Sequence, residues 1–193
     1  MCEARRGTLH SPQLHLLQLV RMRVRELLEM TLLQDAGLRV VAGEDRLDQD
    51  IRWVHSSELG DVAQYLAGGE ALLTAATGVS SPADSRRYIR ELQNAGVTCV
   101  ILELVRQFNT VPREMLDQAA KGTLVLATLE REVPFVRVTE QAHTMLVSSA
   151  HATLQRALEI DDALTGLMRE GAALGAVLEL LADPSSDRFV RPR

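Results

Sequence analysis

Two successive helix–glycine–strand units in the middle of the chain limit the possible folds more than any other part of the sequence. In the first unit, Ser81-Pro82 is typical of a helix start and Gly96 of a helix end, ahead of the apolar run 97–102. The second unit repeats this order from Pro112 to the apolar run 123–127. Strands joined through helices in this way pair in parallel with right-handed crossovers. The sequence therefore predicts an α/β fold with a mixed, partly parallel sheet flanked by helices.

A stretch with two adjacent glycines precedes these units and is predicted to join a short helix to a buried strand. Asp61 is placed to cap a helix over 62–67, with Gln64 at the capping-box position. Gly68 suits the left-handed residue that ends such a helix, and the apolar run 71–74 follows as the strand. Because α/β sheets often bind ligands beside strand ends, this stretch is a candidate binding region.

Two shorter β-rich runs, 38–42 and 51–54, lie upstream of the double glycine and are predicted to be strands. Pairing of the two runs as a hairpin is one possibility. The single tryptophan, Trp53, belongs to the second run and is predicted to lie in the core. Residues 22–30 have the pattern of a short amphipathic helix with its leucines on one side.

A long segment without proline follows Pro134 and is predicted to be helical from 138 to 169. Its apolar positions are interrupted at Ser148-Ser149 and Asp161-Asp162, so it does not match a strict coiled coil. The predicted organisation is an N-terminal tail (1–21), an α/β domain (22–137), a long connector helix (138–170), and the truncated start of a next module with a frayed tail (171–193).

Composition argues against several classes of function. An aromatic fraction of 3% leaves little to stack on single-stranded nucleic acid, and a net charge of −5 disfavours binding of phosphates by this chain itself. The two cysteines, Cys2 and Cys99, lie far apart in sequence and predict neither a disulfide framework nor a zinc site. Cys99 is expected to be a small buried hydrophobe. No apolar run approaches the ~18 residues of a membrane span, and no secretory signal is present, so a cytoplasmic protein without metal or cofactor is expected.

The sequence contains no complete catalytic or nucleotide-binding motif of the P-loop, G-x-S-x-G or H-E-x-x-H type. His55, Ser57 and Glu58 lie in one segment, whereas the members of a catalytic triad come from different elements, so no catalytic residue is predicted. Glu70 has two open interpretations: its carboxylate binds a nearby backbone N–H, or it faces a ligand. The predicted ligand-binding residues surround the double glycine and the strands beside it: His55, Ser57, Glu58, Gly68, Gly69, Glu70, Thr74 and Thr77.

Six segments occur in an order that is similar to a known family: 22–28, 39–43, 51–59, 68–74, 95–97 and 132–135. Together they resemble the N-terminal domain of the purine catabolism regulator (PucR) family of bacterial transcription factors, from about Met22 to Leu146. That family places this domain first and ends in a helix-turn-helix that binds DNA. The resemblance implies control of purine or other nitrogen-compound catabolism, with DNA bound only through a C-terminal domain that this sequence lacks.

We therefore expect a non-enzymatic sensory domain that binds a small-molecule effector and passes the change through the helix predicted over 138–169. The alternative is a ligand-free dimerisation or protein-interaction module that uses the same helix to form a homodimer. Apolar residues left exposed on that helix would favour the alternative. An enzyme is disfavoured by the missing motifs, and no membrane partner is expected.

Overall fold

The computed structural model describes residues 21–169. The predictions for the tail 1–20 and for the segment 171–193 lie outside the described residues. The helices are α1 (Val24–Leu28), α2 (Thr31–Asp35), α3 (Pro82–Asn94), α4 (Arg113–Ala119) and α5 (Phe135–Arg169), with 3-10 turns at Glu44–Arg46 and Val62–Tyr65. The strands are β1 (Met22–Arg23), β2 (Arg39–Ala42), β3 (Asp50–Ile51), β4 (Trp53–Ser56), β5 (Glu70–Thr74), β6 (Cys99–Glu103) and β7 (Val125–Leu129).

A five-stranded sheet with the order β2-β7-β6-β5-β4 forms the centre of the fold. Strands β4, β5, β6 and β7 pair in parallel, and β2 joins β7 antiparallel at one edge. Strands β1 and β3 form a separate antiparallel pair. The predicted mixed, partly parallel sheet flanked by helices is therefore confirmed.

The three central strands are buried along their whole length, since helices cover both faces of the sheet. Successive strand residues point to opposite faces. Leu73 and Ile101 accordingly pack with α1, α2 and the start of α5, whereas Leu72 and Val100 pack with α3 and α4. Cys99 is fully buried in the first of these layers, as expected for a small hydrophobe.

Helix α3 begins as its sequence predicts. The Ser81 hydroxyl oxygen accepts a hydrogen bond from the Asp84 backbone N–H at 3.1 Å, and the hydroxyl donates to the Asp84 carboxylate at 2.6 Å. This hydrogen bond from Ser81 lowers the pKa of Asp84. Gly96, with a φ of +78°, follows the end of the helix and turns the chain toward β6.

Three local predictions are wrong. The runs 38–42 and 51–54 do not form a hairpin, because β2 and β4 lie at opposite edges of the sheet with three parallel strands between them. Trp53 is 44% exposed rather than core, since β4 is an edge strand. Asp61 does not cap an α-helix: the segment is a 3-10 turn, and Gln64 donates its side-chain hydrogen bond to the Asp61 carboxylate at 2.6 Å.

Helix α5 begins at Phe135, three residues before the predicted start, directly after Pro134. Val138, Ala142 and Leu146 form its buried stripe and pack into the core. Described residues up to Ala150 belong to one compact unit, and those from His151 belong to a second. Within residues 21–169, no helix combines the length and hydropathy that a membrane span requires.

Candidate functional site

The structure places seven of the eight predicted site residues at the two ends of strand β5 and the eighth, His55, beside its middle. Trp53 pairs with Glu70 and Ser56 with Leu73, so β4 and β5 run side by side in the same direction. A strand rises about 3.3 Å per residue, which places the two ends of β5 about 13 Å apart. The double glycine and Glu70 therefore lie at the amino end, whereas Ser57, Glu58, Thr74 and Thr77 lie at the carboxyl end. His55 lies half-buried on β4 beside Leu72.

At the amino end, the double glycine brings backbones close together. Gly68 and Gly69 have φ values of +91° and +81°, and the Gly69 N–H donates to the carbonyl of Gly96 at 2.7 Å. A Cβ on Gly68 would lie 3.2 Å from the Ala95 carbonyl oxygen. These contacts give both glycines a structural role, because residues with a side chain rarely adopt such a φ. Their contact with a ligand stays a prediction.

Glu70 is buried beside this turn. One of its carboxylate oxygens accepts a hydrogen bond from the Ala67 N–H at 2.9 Å, which is the first of the two interpretations of this residue. Its other carboxylate oxygen has no partner among the described residues. A surface depression of about 550 Å³ lies between the 3-10 turn 62–65 and the end of α3. Glu70 does not line this depression.

At the carboxyl end, Glu58 holds the loop that follows β5. Its two carboxylate oxygens accept hydrogen bonds from the N–H groups of Ala75 at 2.9 Å and Thr77 at 3.2 Å. Between these residues, Ala76 is buried with a φ of +52°, and its N–H donates to the Thr74 hydroxyl at 2.8 Å. A non-glycine residue in this conformation is strained, and strained backbone concentrates at functional sites.

Ser57 and the neighbouring glycines complete the packing of this loop. The Ser57 N–H donates to the Leu73 carbonyl at 3.1 Å, and the Ser57 hydroxyl accepts a hydrogen bond from the Leu59 N–H at 3.3 Å. A Cβ on Gly78 would lie 2.9 Å from the Gly60 nitrogen, so these loops touch only because both positions are glycine. These hydrogen bonds give Ser57 a structural role at the end of β4, and its contact with a ligand stays a prediction.

A cavity of about 330 Å³ opens beside this loop, at the carboxyl ends of the parallel strands. Open α/β sheets bind their ligands at this edge, and the volume is in the range that small-molecule sites occupy. Its wall consists of the β5 loop, the end of β6 and the segment that leads into α5: Glu58, Ala75, Thr77, Glu103, Arg106, Val133, Pro134 and Phe135. Two predicted site residues, Glu58 and Thr77, are among them.

Glu103 is the buried acid of this cavity, with 4% of the residue exposed. Burial raises the pKa of Glu103, and the nearby Glu132 carboxylate adds to the rise, whereas a hydrogen bond from the Val133 backbone and the Arg106 guanidinium oppose it. The Arg106 Nε lies 3.6 Å from a Glu103 carboxylate oxygen, and an Arg106 terminal nitrogen lies 3.2 Å from Glu132. Arg106 therefore joins two acids at the mouth of the cavity.

Glu103, Arg106 and the segment 133–135 were not among the residues predicted from the sequence. One signal was available: Glu103 is a charged residue that ends a run of otherwise apolar strand residues, at the edge where ligands bind. The segment 133–135 carried no such signal, because it reaches the cavity only through the fold.

Tyr88 lies in the core near this edge. Burial raises the pKa of Tyr88 to about 12, and the Glu58 carboxylate adds to the rise. The Tyr88 hydroxyl has no partner at ordinary hydrogen-bond geometry within residues 21–169, and Thr74 is its polar neighbour on β5.

Trp53, on the edge strand β4, contacts His143, on α5. Their rings stack with centroids 4.0 Å apart, and the His143 Nε2 lies 3.0 Å from the Val54 carbonyl oxygen. This contact ties α5 to the edge of the sheet. Throughout the described range, no three His, Cys, Asp or Glu side chains are grouped so as to hold a metal ion.

These features define an α/β domain with a ligand-sized cavity at the carboxyl ends of its parallel strands. The family model described as the purine catabolism regulatory protein-like family matches residues 26–146, and the chain belongs to this family. The resemblance drawn from the segment order is thereby confirmed, and the family is one of transcriptional regulators.

Individual proteins that are similar to this chain include a curated relative and a solved structure. The chain is 28% identical over 123 residues to the transcriptional activator PmfR of Paenarthrobacter nicotinovorans, which covers 63% of this chain and 25% of that protein. The chain thus spans about a quarter of the length of that relative. A crystal structure of the CBS and DRTGG domains of the Clostridium perfringens pyrophosphatase regulatory region, complexed with diadenosine tetraphosphate, is 14% identical with a TM-score of 0.39. The match covers 61% of this chain and 45% of that one, and at this TM-score it supports no inference.

Proposed function

We propose that this chain is the regulatory, effector-sensing N-terminal domain of a PucR-type transcriptional regulator. Its effector is a small molecule of purine or other nitrogen-compound catabolism. It acts in the cytoplasm without catalysing a reaction, and DNA is bound through a separate helix-turn-helix domain. Family membership supports the regulatory role, and the net charge of −5 supports the assignment of DNA binding to another domain.

The observation that carries this proposal is the composition of the cavity wall. The β5 loop, the end of β6 and the first residue of α5 all line one space of about 330 Å³. An effector in this space contacts the strained loop held by Glu58 and also Phe135, where the 35-residue helix α5 begins. A ligand shifts the equilibrium between two conformations of a protein only if its contacts differ between them. The contacts of an effector with this loop and with Phe135 can differ in this way. The proposed output is a change at the start of α5 that the helix passes on.

A thermal-shift screen with purines, ureides and amino acids tests the proposal. An effector should raise the melting temperature of the wild-type chain, because a ligand that binds only the folded state stabilises it. Thr77→Trp places a large ring at the exposed cavity wall and should abolish the shift. Thr123→Trp, at an exposed position before the amino end of β7, is the matched control and should retain it. A screen without hits, or a hit that Thr77→Trp leaves unchanged, contradicts an effector site in this cavity.

A second candidate function is homodimerisation through α5, with or without an effector. Exposed apolar side chains along this helix favour it, since such residues often mark interaction sites. Leu154 and Leu158 lie one turn apart on one side of the helix, with 39% and 58% of each residue exposed. Among the side chains of this helix that the structure describes, the exposed large apolar ones are Val136, Met145, Val147, Leu154, Leu158 and Ile160.

Sedimentation equilibrium tests the dimer. Leu154→Glu with Leu158→Glu should shift a dimer to a monomer, because like charges would face each other across the contact. Val136→Glu, on the first turn of the helix, is the matched control and should leave the dimer intact. A wild-type chain that stays monomeric at high concentration contradicts this candidate.

A further inference from the structure

The charges around the cavity at the carboxyl ends are unbalanced. Three carboxylates, those of Glu58, Glu103 and Glu132, meet there with one guanidinium, that of Arg106. The remaining wall is largely apolar and comes from Ala75, Val133, Pro134 and Phe135. Such a site attracts positive charge and repels anions, because the low-dielectric wall strengthens the field inside it.

Glu103 is the acid with capacity left for a ligand. Glu58 already accepts hydrogen bonds from Ala75 and Thr77 with both of its oxygens, and their donors belong to the loop itself. Glu103 is almost fully buried, lines the cavity and accepts a hydrogen bond from the Val133 backbone. Its ion pair with Arg106 spans 3.6 Å, beyond the 2.7–2.9 Å of a good charge-assisted hydrogen bond. Because a carboxylate accepts at about four lone-pair positions, Glu103 keeps acceptor capacity that Val133 and Arg106 do not use.

Arg106 is a cation that can leave. Its side chain is 65% exposed, and its shorter contact, at 3.2 Å, is with the exposed acid Glu132 rather than with Glu103. The pair with Glu132 is exposed on both sides and contributes little to stability, and the contact with Glu103 is longer than a charge-assisted hydrogen bond. A ligand can therefore take the place beside Glu103 while Arg106 keeps water and Glu132 as partners.

We propose that the cavity selects an organic cation, a protonated amine on a compact, mostly apolar body, and that its ammonium group displaces Arg106 from Glu103. This inference rests on the proposed function, since it names the ligand class of the same site. Displacement loosens the link from the end of β6 through Arg106 to Glu132. Glu132 lies three residues before Phe135, where α5 begins. The exchange of Arg106 for the ammonium group therefore changes the contacts of the segment that leads into α5.

Ligand-observed NMR titration with benzylamine, benzyl alcohol and benzoate tests the charge preference. The three probes share one ring and differ in charge. We expect benzylamine to bind about fivefold or more tightly than the alcohol, and benzoate to bind least, because only the amine makes a charge-assisted hydrogen bond with Glu103. Glu103→Gln should remove the preference for the amine. Arg106→Gln should strengthen amine binding about twofold or more by removing the competing cation.

Glu44→Gln is the matched control, since it removes the same charge from an exposed turn after β2, at the opposite end of the sheet. It should leave all three affinities unchanged. If benzoate or benzyl alcohol binds as tightly as benzylamine or more tightly, the preference for a cation is refuted. That result does not contradict an effector site in this cavity. Failure of all three probes also overturns the cation preference, whereas the proposed effector site is tested separately by the thermal-shift screen and Thr77→Trp. If Glu103→Gln does not fold, weaker amine binding by Arg106→Gln is sufficient to refute the inference.

Discussion

Replacing Glu58 with glutamine tests whether one carboxylate holds the loop beside the cavity. Both Glu58 oxygens accept backbone N–H groups, from Ala75 and Thr77, on either side of the strained Ala76. Glutamine has the same shape but offers one uncharged acceptor oxygen and one NH₂ group. The NH₂ group would then face a backbone N–H, donor against donor, so one hydrogen bond is lost and the other is weakened.

The magnitude follows from the surroundings of the two bonds. The bond to Ala75 is partly buried, and losing its charge costs about 1.5 kcal/mol. The bond to Thr77 is exposed and adds about 0.5 kcal/mol. Relaxation of Ala76 from its strained φ recovers part of this, so the net loss is about 1.5 kcal/mol. For a chain of this size, that lowers the melting temperature by about 3–6 °C.

Thermal and urea unfolding measure the loss, and hydrogen exchange localises it. The amides of Ala75 and Thr77 should exchange faster in Glu58→Gln, whereas those of the central strands should not change. Glu44→Gln, an exposed charge removed at the other end of the sheet, should melt within about 1 °C of the wild type. If Glu58→Gln melts with that control and both loop amides keep their protection, the carboxylate does not hold the loop.

Three further predictions concern single residues at either end of the sheet. Burial raises the pKa of Glu103 above its ordinary 4.5, so the folded chain binds this proton more tightly than the unfolded chain. Its contribution to stability is therefore present below pH 4.5 and is lost as the pH rises through the raised pKa; urea unfolding should show the wild type losing stability relative to Glu103→Gln across that window, and a pH-independent difference would refute this. Tyr88→Phe removes a buried hydroxyl that has no partner of ordinary hydrogen-bond geometry among residues 21–169, so the free energy of unfolding should stay equal or rise by up to about 1 kcal/mol, whereas a loss above about 1 kcal/mol would reveal a hydrogen bond. Gly68→Ala forces a side chain into a φ of +91° and should cost about 1–2 kcal/mol in urea unfolding, whereas an unchanged midpoint would show that the turn does not need glycine.

The parts of the fold that could be predicted are those whose signals are local. The Ser81 cap, the Gly96 stop and the apolar strand after it specify a helix–strand unit within about twenty residues, and parallel pairing follows from two such units. The partner of an edge strand is not a local property. Strand β2 pairs with β7, more than eighty residues later, so the sequence of β2 could not exclude a hairpin with β4.

The candidate site was predictable only in part, for the same reason. Glu58 and Thr77 were found because they flank a strand end, and both line the cavity. The double glycine was grouped with them because it is near in sequence, although β5 separates the two ends in space. Glu103 becomes a buried cavity acid only when the segment from Val133 folds over it. Neither the sequence of β6 nor that of the segment from Val133 indicates this contact.

The central claim is that the space at the carboxyl ends of the parallel strands receives the effector. Amide-resolved NMR of this chain, with and without the best ligand from the thermal-shift screen, tests it most directly. We predict that the largest shift changes fall on residues 75–77, 103–106 and 133–135. Changes concentrated instead around Asp61, Glu91 and Asn94, at the other depression, would contradict the claim.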